Sequence, residues 1–316
     1  MATRSSISVV LPTYNCRDLL VPHLRSMQDW LDLADEVIVV DSRSTDGTLE
    51  LIRAELRHPR LRIIERDRGL YPSWNEGIAA TSGEWVYIST AGDTITRQQL
   101  LRLRDHGLAA QADVVISPCA YVDEAGERLP EKAYRNPRIH RDLAGRGPLL
   151  IEPPLVRHLA FRSAGTHALM GSCASDLFRG DFLRARPFPA DYGTHGDTAW
   201  TLRHSHEMRL GIVPECGSTF CVHAKERVDT RDELMDILDR MFAQEIQHAG
   251  GAGYDDLALA VRQAMRARRL AKKNHGPASW AWVSANSRYL WLRTGLGFRQ
   301  AWAGLRLRGL AKPLAQ

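Results

Sequence analysis

The chain of 316 residues has little cysteine, no long apolar run and, in its last 60 residues, no aspartate or glutamate. Its five cysteines form no C-x-x-C pair, and an odd count argues against a complete disulfide framework. Cys216 and Cys221 are near enough in sequence to approach each other, but buried free thiols are the preferred reading. Without a run of about 18 apolar residues, no membrane-spanning helix is expected. The opening MATRSSISVVLPTYN enters a strand-like segment at once and lacks the layout of a signal peptide, which points to the cytoplasm. No G-x-G-x-x-G follows the first strand and no G-x-x-x-x-G-K-[ST] occurs, so neither a dinucleotide fold nor a P-loop is supported.

What is present has an ordinary composition and an uneven charge. Hydrophobic residues make up 44% and charged residues 25%, a globular balance, in a length that suits one large domain or two modest ones. The net charge of +5 conceals two regions: residues 257–316 carry 12 Lys/Arg, whereas residues 1–256 carry 30 against 37 Asp/Glu. An acidic body and a basic tail imply different tasks.

The segments SISVVLP (6–12), EVIVVDS (36–42), LRIIE (61–65), EWVYIST (84–90) and DVVISP (113–118) read as short buried strands. Residues 17–33, 44–56, 71–81 and 96–108 are predicted helices, the first from the spacing of Leu20, Leu24, Met27 and Leu31, the second with Asp46 as its N-cap. Strands that alternate with helices and are apolar throughout predict an α/β fold, a mostly parallel sheet with helices on both faces. Residues 120–128 are predicted to turn at Glu124-Ala125-Gly126, and 127–150, rich in Arg, Pro and Gly, to form a long loop or lid. A second mixed segment runs from 155 to about 228, with helices expected near 175–183 and 197–208. Helices at 231–248 and 257–274 follow.

In an open parallel sheet, ligands lie at the carboxyl ends of the strands. Those ends carry Pro12-Thr13-Tyr14-Asn15, Asp41-Ser42, Asp67-Arg68-Gly69 and Ala91-Gly92-Asp93, a mixture that a base, a ribose and a diphosphate would need. In their order SVVLPTYN, VIVVDSRSTDGT, RDRGLYPSWNEGIAATSGEWVYISTAGD and HGDTAWTLR, the chain resembles the GT-A glycosyltransferases of the large inverting family 2. The resemblance runs from about Ser6 to about Val228. It implies a GT-A (Rossmann-like) catalytic domain over 1–228, with a nucleotide-binding half at 1–120 and an acceptor half at 150–228. Residues 229–316 are expected to form a basic, helical C-terminal extension.

The resemblance also implies the chemistry: transfer of a sugar from a nucleotide-diphosphate donor, of UDP type, to an acceptor hydroxyl, with Mg²⁺ or Mn²⁺. By matched position, Pro12, Thr13, Tyr14, Asn15, Asp41, Arg68 and Asn75 form the nucleotide set. Asp93 stands for the surviving acid of the family's D-x-D element, with His223 as a second metal ligand and Lys225 and Arg227 against the diphosphate. Asp197, in Gly196-Asp197-Thr198, matches the catalytic base. Two departures stand out: Thr90-Ala91-Gly92-Asp93 holds one acid where many relatives have two or three, and Pro72 replaces a frequent acid. Read alone, Asp93 and Asp197 are each helix N-caps; within the constellation they read as metal ligand and base. Gly77 is expected to serve close packing.

In the tail, GFRQAWAGLRLRGLA places Phe298, Trp302 and Leu305 on one helical face and Arg299 and Arg306 on another, the pattern of an interfacial helix on an anionic membrane. A helical extension packed on the body or on a second subunit is the alternative. The expectation is a cytoplasmic enzyme, peripheral at the inner membrane, acting on a glycan or lipid-linked sugar acceptor in bacterial surface polysaccharide or glycolipid assembly. A non-catalytic nucleotide-sugar or glycan-binding module of the same fold competes with it. No nucleic-acid partner is expected, because clustered Arg and aromatics come without a recognised binding motif.

Overall fold

The computed structural model describes residues 5–130, 139–140, 143, 145–163, 169–222, 231–248, 254–276 and 279–294. The apolar runs form strands where they are predicted: β1 (Ile7–Thr13), β2 (Glu36–Asp41), β3 (Leu61–Glu65), β4 (Trp85–Ile88) and, after the two-residue β5 (Thr94–Ile95), β6 (Val114–Ile116). With β7 (Ala120–Val122), β8 (Leu149–Ile151), β9 (Asp176–Arg179), β10 (Leu210–Ile212) and β11 (Ser218–Cys221), they build two sheets. The larger has eight strands in the order β3-β2-β1-β4-β9-β6-β10-β8, and β5-β11-β7 forms the smaller. Pairings β1–β2, β1–β4, β2–β3 and β6–β10 are parallel, while β9 runs antiparallel to both β4 and β6.

Strand alternation feeds two apolar layers, one on each face. Val9 and Leu11 of β1 join Leu20 and Met27 of helix α1 (Arg17–Met27), Ile52 of α2 (Thr48–Glu55) and Leu100 and Leu103 of α4 (Arg97–Ala110). Val10 faces the other layer, with Tyr71, Trp74 and Ile78 of α3 (Leu70–Ala79) and Trp200 of helix Gly196–His204. Trp200 is fully buried and its indole N–H donates to the Arg186 carbonyl at 2.6 Å. Gly77 meets its expectation: a Cβ there would stand 2.5 Å from Val10 Cγ1 and 2.9 Å from Val40 Cγ2, so α3 seats directly on β1 and β2.

Two local expectations change. The helix expected near 175–183 is instead strand β9 followed by the short helix Gly180–Arg184. Leu177 packs into one layer and Phe178 into the other, a period of two that only a strand between β4 and β6 provides. Asp46 does not cap α2; Gly47 takes that place at φ 87°, and Asp46 accepts instead from Thr48 N–H and Arg17 N–H, both at 3.0 Å. Its carboxylate thereby ties the starts of α1 and α2 together.

Beyond residue 228, helix Arg231–His248 packs into the body: Met241 and Phe242 are buried in the layer of Trp200. Glu245, fully buried, accepts from Arg203 at 2.7 and 2.8 Å and from the Tyr192 hydroxyl at 2.8 Å. Helix Tyr254–His275 and a helix over 280–294 pair through Ala264, Tyr289 and Leu292. No helix among the described residues is long and apolar enough to cross a membrane. Cys16, Cys119, Cys173, Cys216 and Cys221 are all free thiols.

Candidate active site

The register of β1 on β2 sets Thr13 beside Asp41 at their carboxyl ends. Asp41 is fully buried, and its carboxylate accepts from the Thr13 hydroxyl at 2.8 Å and from the Ser44 hydroxyl and N–H at 2.7 and 2.8 Å. Ser44 Oγ in turn accepts from Asn15 N–H at 2.9 Å, and Asn15 Oδ1 from Thr45 N–H at 2.8 Å. Thus the loops after β1 and β2 are laced into one unit. Tyr14 projects from it, 40% exposed, with the Arg68 guanidinium 4.4 Å above its ring, a cation–π pair at the mouth of the strand ends. Pro12 lies half-buried in the last turn of β1's pleat. Asn75 is engaged with the later half of the chain: its amide donates to the Phe188 carbonyl at 2.9 Å and accepts from Phe188 N–H at 2.8 Å. This two-point clamp joins α3 to the segment before helix Gly196–His204.

After β4 the chain turns through Thr90-Ala91-Gly92-Asp93, closed by Asp93 N–H on the Thr90 carbonyl at 3.1 Å. Gly92 sits at φ 94°, which explains a glycine before the acid. Asp93 does not cap α4, because Thr96 does, accepting from Gln99 N–H. The Asp93 carboxylate is buried, takes the Thr90 hydroxyl on one oxygen and Cys221 N–H of β11 on the other at 2.8 Å, and is also hydrogen-bonded by Ser172. Burial outweighs these donors and pushes its pKa up to about 7. Behind the turn, the buried His23 of α1 joins the Asp93 carbonyl (2.7 Å) to Ser89 Oγ (3.0 Å), and burial lowers its pKa to about 4.

The second half brings Asp197 to the same region. It lies in the first turn of its helix, whose cap is His195, and accepts from Thr198 N–H at 2.6 Å. Burial raises its pKa, opposed by Thr198, by His195 and by the Tyr71 hydroxyl. Gly196 makes this possible: a Cβ there would fall 2.3 Å from the Pro189 carbonyl oxygen and 2.5 Å from the Tyr71 ring. Two residues that sequence reasoning passed over belong here, Tyr71 beside Asp197 and Asp176 at the start of β9. The charges of Asp176, Asp197 and Asp93 all raise the pKa of the buried Cys173 thiol, itself raised first by burial, so the three acids lie in the same region of the protein.

A divalent cation is tested by this donor set. Among the described residues no three His, Cys, Asp or Glu side chains form a metal cluster. Asp93 fits as a single oxygen anchor, the mode in which Mg²⁺ is held by one carboxylate plus substrate phosphates and water. His223, Lys225 and Arg227 lie outside the described residues.

The family match and the structural comparisons identify this mostly parallel sheet as the GT-A glycosyltransferase fold. The chain belongs to glycosyl transferase family 2, whose family model matches residues 8–164. It is 26% identical over 270 residues to the succinoglycan biosynthesis protein ExoO of Rhizobium meliloti, covering 84% of this chain and 72% of that one. Further curated relatives are spanned over less than half of their own length. Among solved structures, S. aureus TarS 1-349 in complex with UDP-GlcNAc superposes with a TM-score of 0.59 at 16% identity, covering 91% of this chain and 81% of that one. The mannosyltransferase PcManGT of Pyrobaculum calidifontis, in complex with GDP-Man and Mn²⁺, gives 0.51 at 21% identity over 96% and 86%. At these identities the two structures speak for the fold.

Proposed function

We propose that the protein is an inverting glycosyltransferase that moves a sugar from a UDP-type donor to an acceptor hydroxyl in bacterial surface polysaccharide or glycolipid assembly. The observation that supports this best is that the buried carboxylates Asp93 and Asp197, from separate halves of the chain, both lie near enough to the buried Cys173 to raise its thiol. The laced loops of Thr13, Asn15 and Asp41 shape the nucleotide end, with Tyr14 and Arg68 as the exposed faces for the base and ribose. Asp197 takes the proton of the acceptor hydroxyl as its oxygen attacks the anomeric carbon; the bond to the diphosphate breaks and the nucleoside diphosphate leaves. A carboxylate whose basicity is raised by burial suits that step. Asp93 would hold the Mg²⁺ or Mn²⁺ with help from His223, and the chemistry such an ion supplies is neutralisation of the leaving diphosphate. By their matched positions in the sequence, Lys225 and Arg227 would add positive charge there.

Thermal unfolding with UDP, GDP, dTDP and CDP, each with Mn²⁺ or chelator, tests the donor class. UDP with Mn²⁺ is expected to raise the midpoint, and chelator or Asp93→Ala to abolish the rise. If no nucleotide shifts it, the reading fails.

A second observation supports peripheral membrane attachment. On the helix over 280–294, Tyr289 and Leu292 are buried against the neighbouring helix, while Trp280 and Trp291 are 82% and 76% exposed, with Val283 and Leu290 also exposed. At 11 residues apart, the two tryptophans share one face. With Arg288 and Arg293 flanking that stripe and no acid after residue 256, the face matches an anionic bilayer. Co-sedimentation with vesicles containing anionic phospholipid is expected, and loss of about tenfold in binding for Trp280→Ala/Trp291→Ala. Equal sedimentation of the variant would remove this helix from the membrane reading.

A further inference from the structure

Asp176 opens β9, and the direction of that strand decides where it lies. Because β9 is antiparallel to β4 and β6, its first residue stands at their carboxyl ends, level with Ile116. That is the end of an open α/β sheet at which ligands bind. Strand alternation puts Asp176 on the side of Phe178, the layer of Tyr71 and Trp200.

The side chain is fully buried, and neither carboxylate oxygen has a hydrogen-bond partner among the described residues. The adjacent Ser175 hydroxyl lies close enough to oppose the rise in the Asp176 pKa, but its one proton is given to the Ser172 carbonyl at 2.7 Å and none is left for Asp176. Other buried acids of this chain are tied down: Asp41 by Thr13 and Ser44, Glu245 by Arg203 and Tyr192. A buried polar group with no partner calls for a cause, and a ligand group is one.

We propose that Asp176 is a sugar-binding residue that takes hydroxyls of the transferred sugar. This deepens the transferase reading above and rests on it. Position selects the sugar over the other parts of the substrates. Asp176 and Asp93 together raise the Cys119 thiol, and Asp197 raises Asp176, so Asp176 neighbours both the proposed diphosphate anchor and the proposed base. Between a leaving diphosphate and an attacking hydroxyl there is only the sugar being moved. Burial and the charge of Asp197, opposed by the Ser175 hydroxyl, push the Asp176 carboxyl well above the usual carboxylate range and favour its neutral form. A neutral carboxyl offers one O–H donor and free acceptor lone pairs, which match a vicinal pair of hydroxyls, one accepting and one donating.

Titration calorimetry with Mn²⁺ tests this on wild type, Asp176→Asn and Asp176→Ala, with UDP, UDP-glucose, UDP-galactose and UDP-N-acetylglucosamine as probes. Unfolding midpoints are measured alongside without ligand. Wild type is expected to bind one sugar nucleotide more tightly than UDP. Both variants should keep the wild-type affinity for UDP; Asp176→Ala should lose about tenfold or more for that sugar nucleotide, and Asp176→Asn, which keeps a donor and an acceptor, should lose less. Their ligand-free midpoints should be unchanged or raised, because an unpartnered buried acid has been removed. A lowered midpoint with unchanged sugar-nucleotide affinity overturns the assignment and makes Asp176 a structural residue. So does a wild type that binds every sugar nucleotide no better than UDP. Failure of wild type to bind UDP at all sinks the donor reading itself, and this inference with it.

Discussion

The two ends of the site are finished to different degrees. At the proposed nucleotide end, Thr13, Asn15, Asp41, Ser44 and Thr45 satisfy one another, so that the loops after β1 and β2 hold their shape without a ligand. Where the sugar and the attacking hydroxyl are proposed to lie, Asp197 is held through its neighbour Thr198, and neither carboxylate oxygen of Asp176 has a geometric hydrogen-bond partner among the described residues. Buried groups that are fully hydrogen-bonded stiffen a structure, whereas unsatisfied ones store the cost of their desolvation until a ligand relieves it. The first end is a preformed socket; the second keeps its polar capacity for substrate.

The sharpest way to break that contrast is at Asp197. Asp197→Asn is expected to lower transfer by about 10²–10⁴-fold, the worth of a general base, while UDP affinity stays as in wild type. Loss of UDP binding as well would mean that the two ends are not separable.

A smaller effect sharpens the comparison at the seam between the ends, where His23 and the Asp93 turn meet. His23, at about 4 in the folded protein against 6.5, contributes stability that is full above pH 6.5 and is lost as pH falls toward 4. Asp93 acts oppositely: at about 7 against 3.8, it costs stability at neutral pH and returns it as pH falls toward 4. Between pH 7 and 4 each contributes about 3 kcal/mol, with opposite signs, so in wild type they nearly cancel. Urea unfolding at both pH values should show Asp93→Asn losing about 3 kcal/mol more than wild type on acidification, and His23→Gln gaining about 3 kcal/mol relative to it. Parallel responses in all three proteins would refute the compensation.

Smallest is Gly196→Ala. Gly196 has helical backbone angles, φ −63° and ψ −32°, so alanine is conformationally welcome and only the close approach to Pro189 and Tyr71 opposes it. A stability loss of about 1–3 kcal/mol by denaturant midpoint is expected. A gain would show that Tyr71 yields freely and does not fix the position of Asp197.

Legibility from the sequence follows the same divide. The strands β1, β2, β3, β4 and β6 were readable because each is a continuous apolar run, and the strand-end rule then pointed to Thr13, Tyr14, Asp41, Arg68 and Asp93 before any coordinates. Strand β9 was not readable: four residues beginning with Asp and followed by Gly-Asp carry no period that separates strand from helix. With β9 unread, Asp176 had no address, since its place at the ligand end depends on that strand running backwards. Tyr71 was hidden for another reason. Its role beside Asp197 arises from a helix contact that only the missing Cβ of Gly196 permits.

Strand β9 has one more consequence. It comes late in the chain yet is threaded into the middle of the large sheet, between β4 and β6 of the earlier half. The halves therefore cannot part like jaws without pulling a central strand from its ladders, and substrate entry is left to the loops around the strand ends. For the same reason residues 8–164, the stretch that carries the family signature, do not make a self-sufficient folding unit. A chain cut there would leave a strand-wide gap at the centre of its sheet.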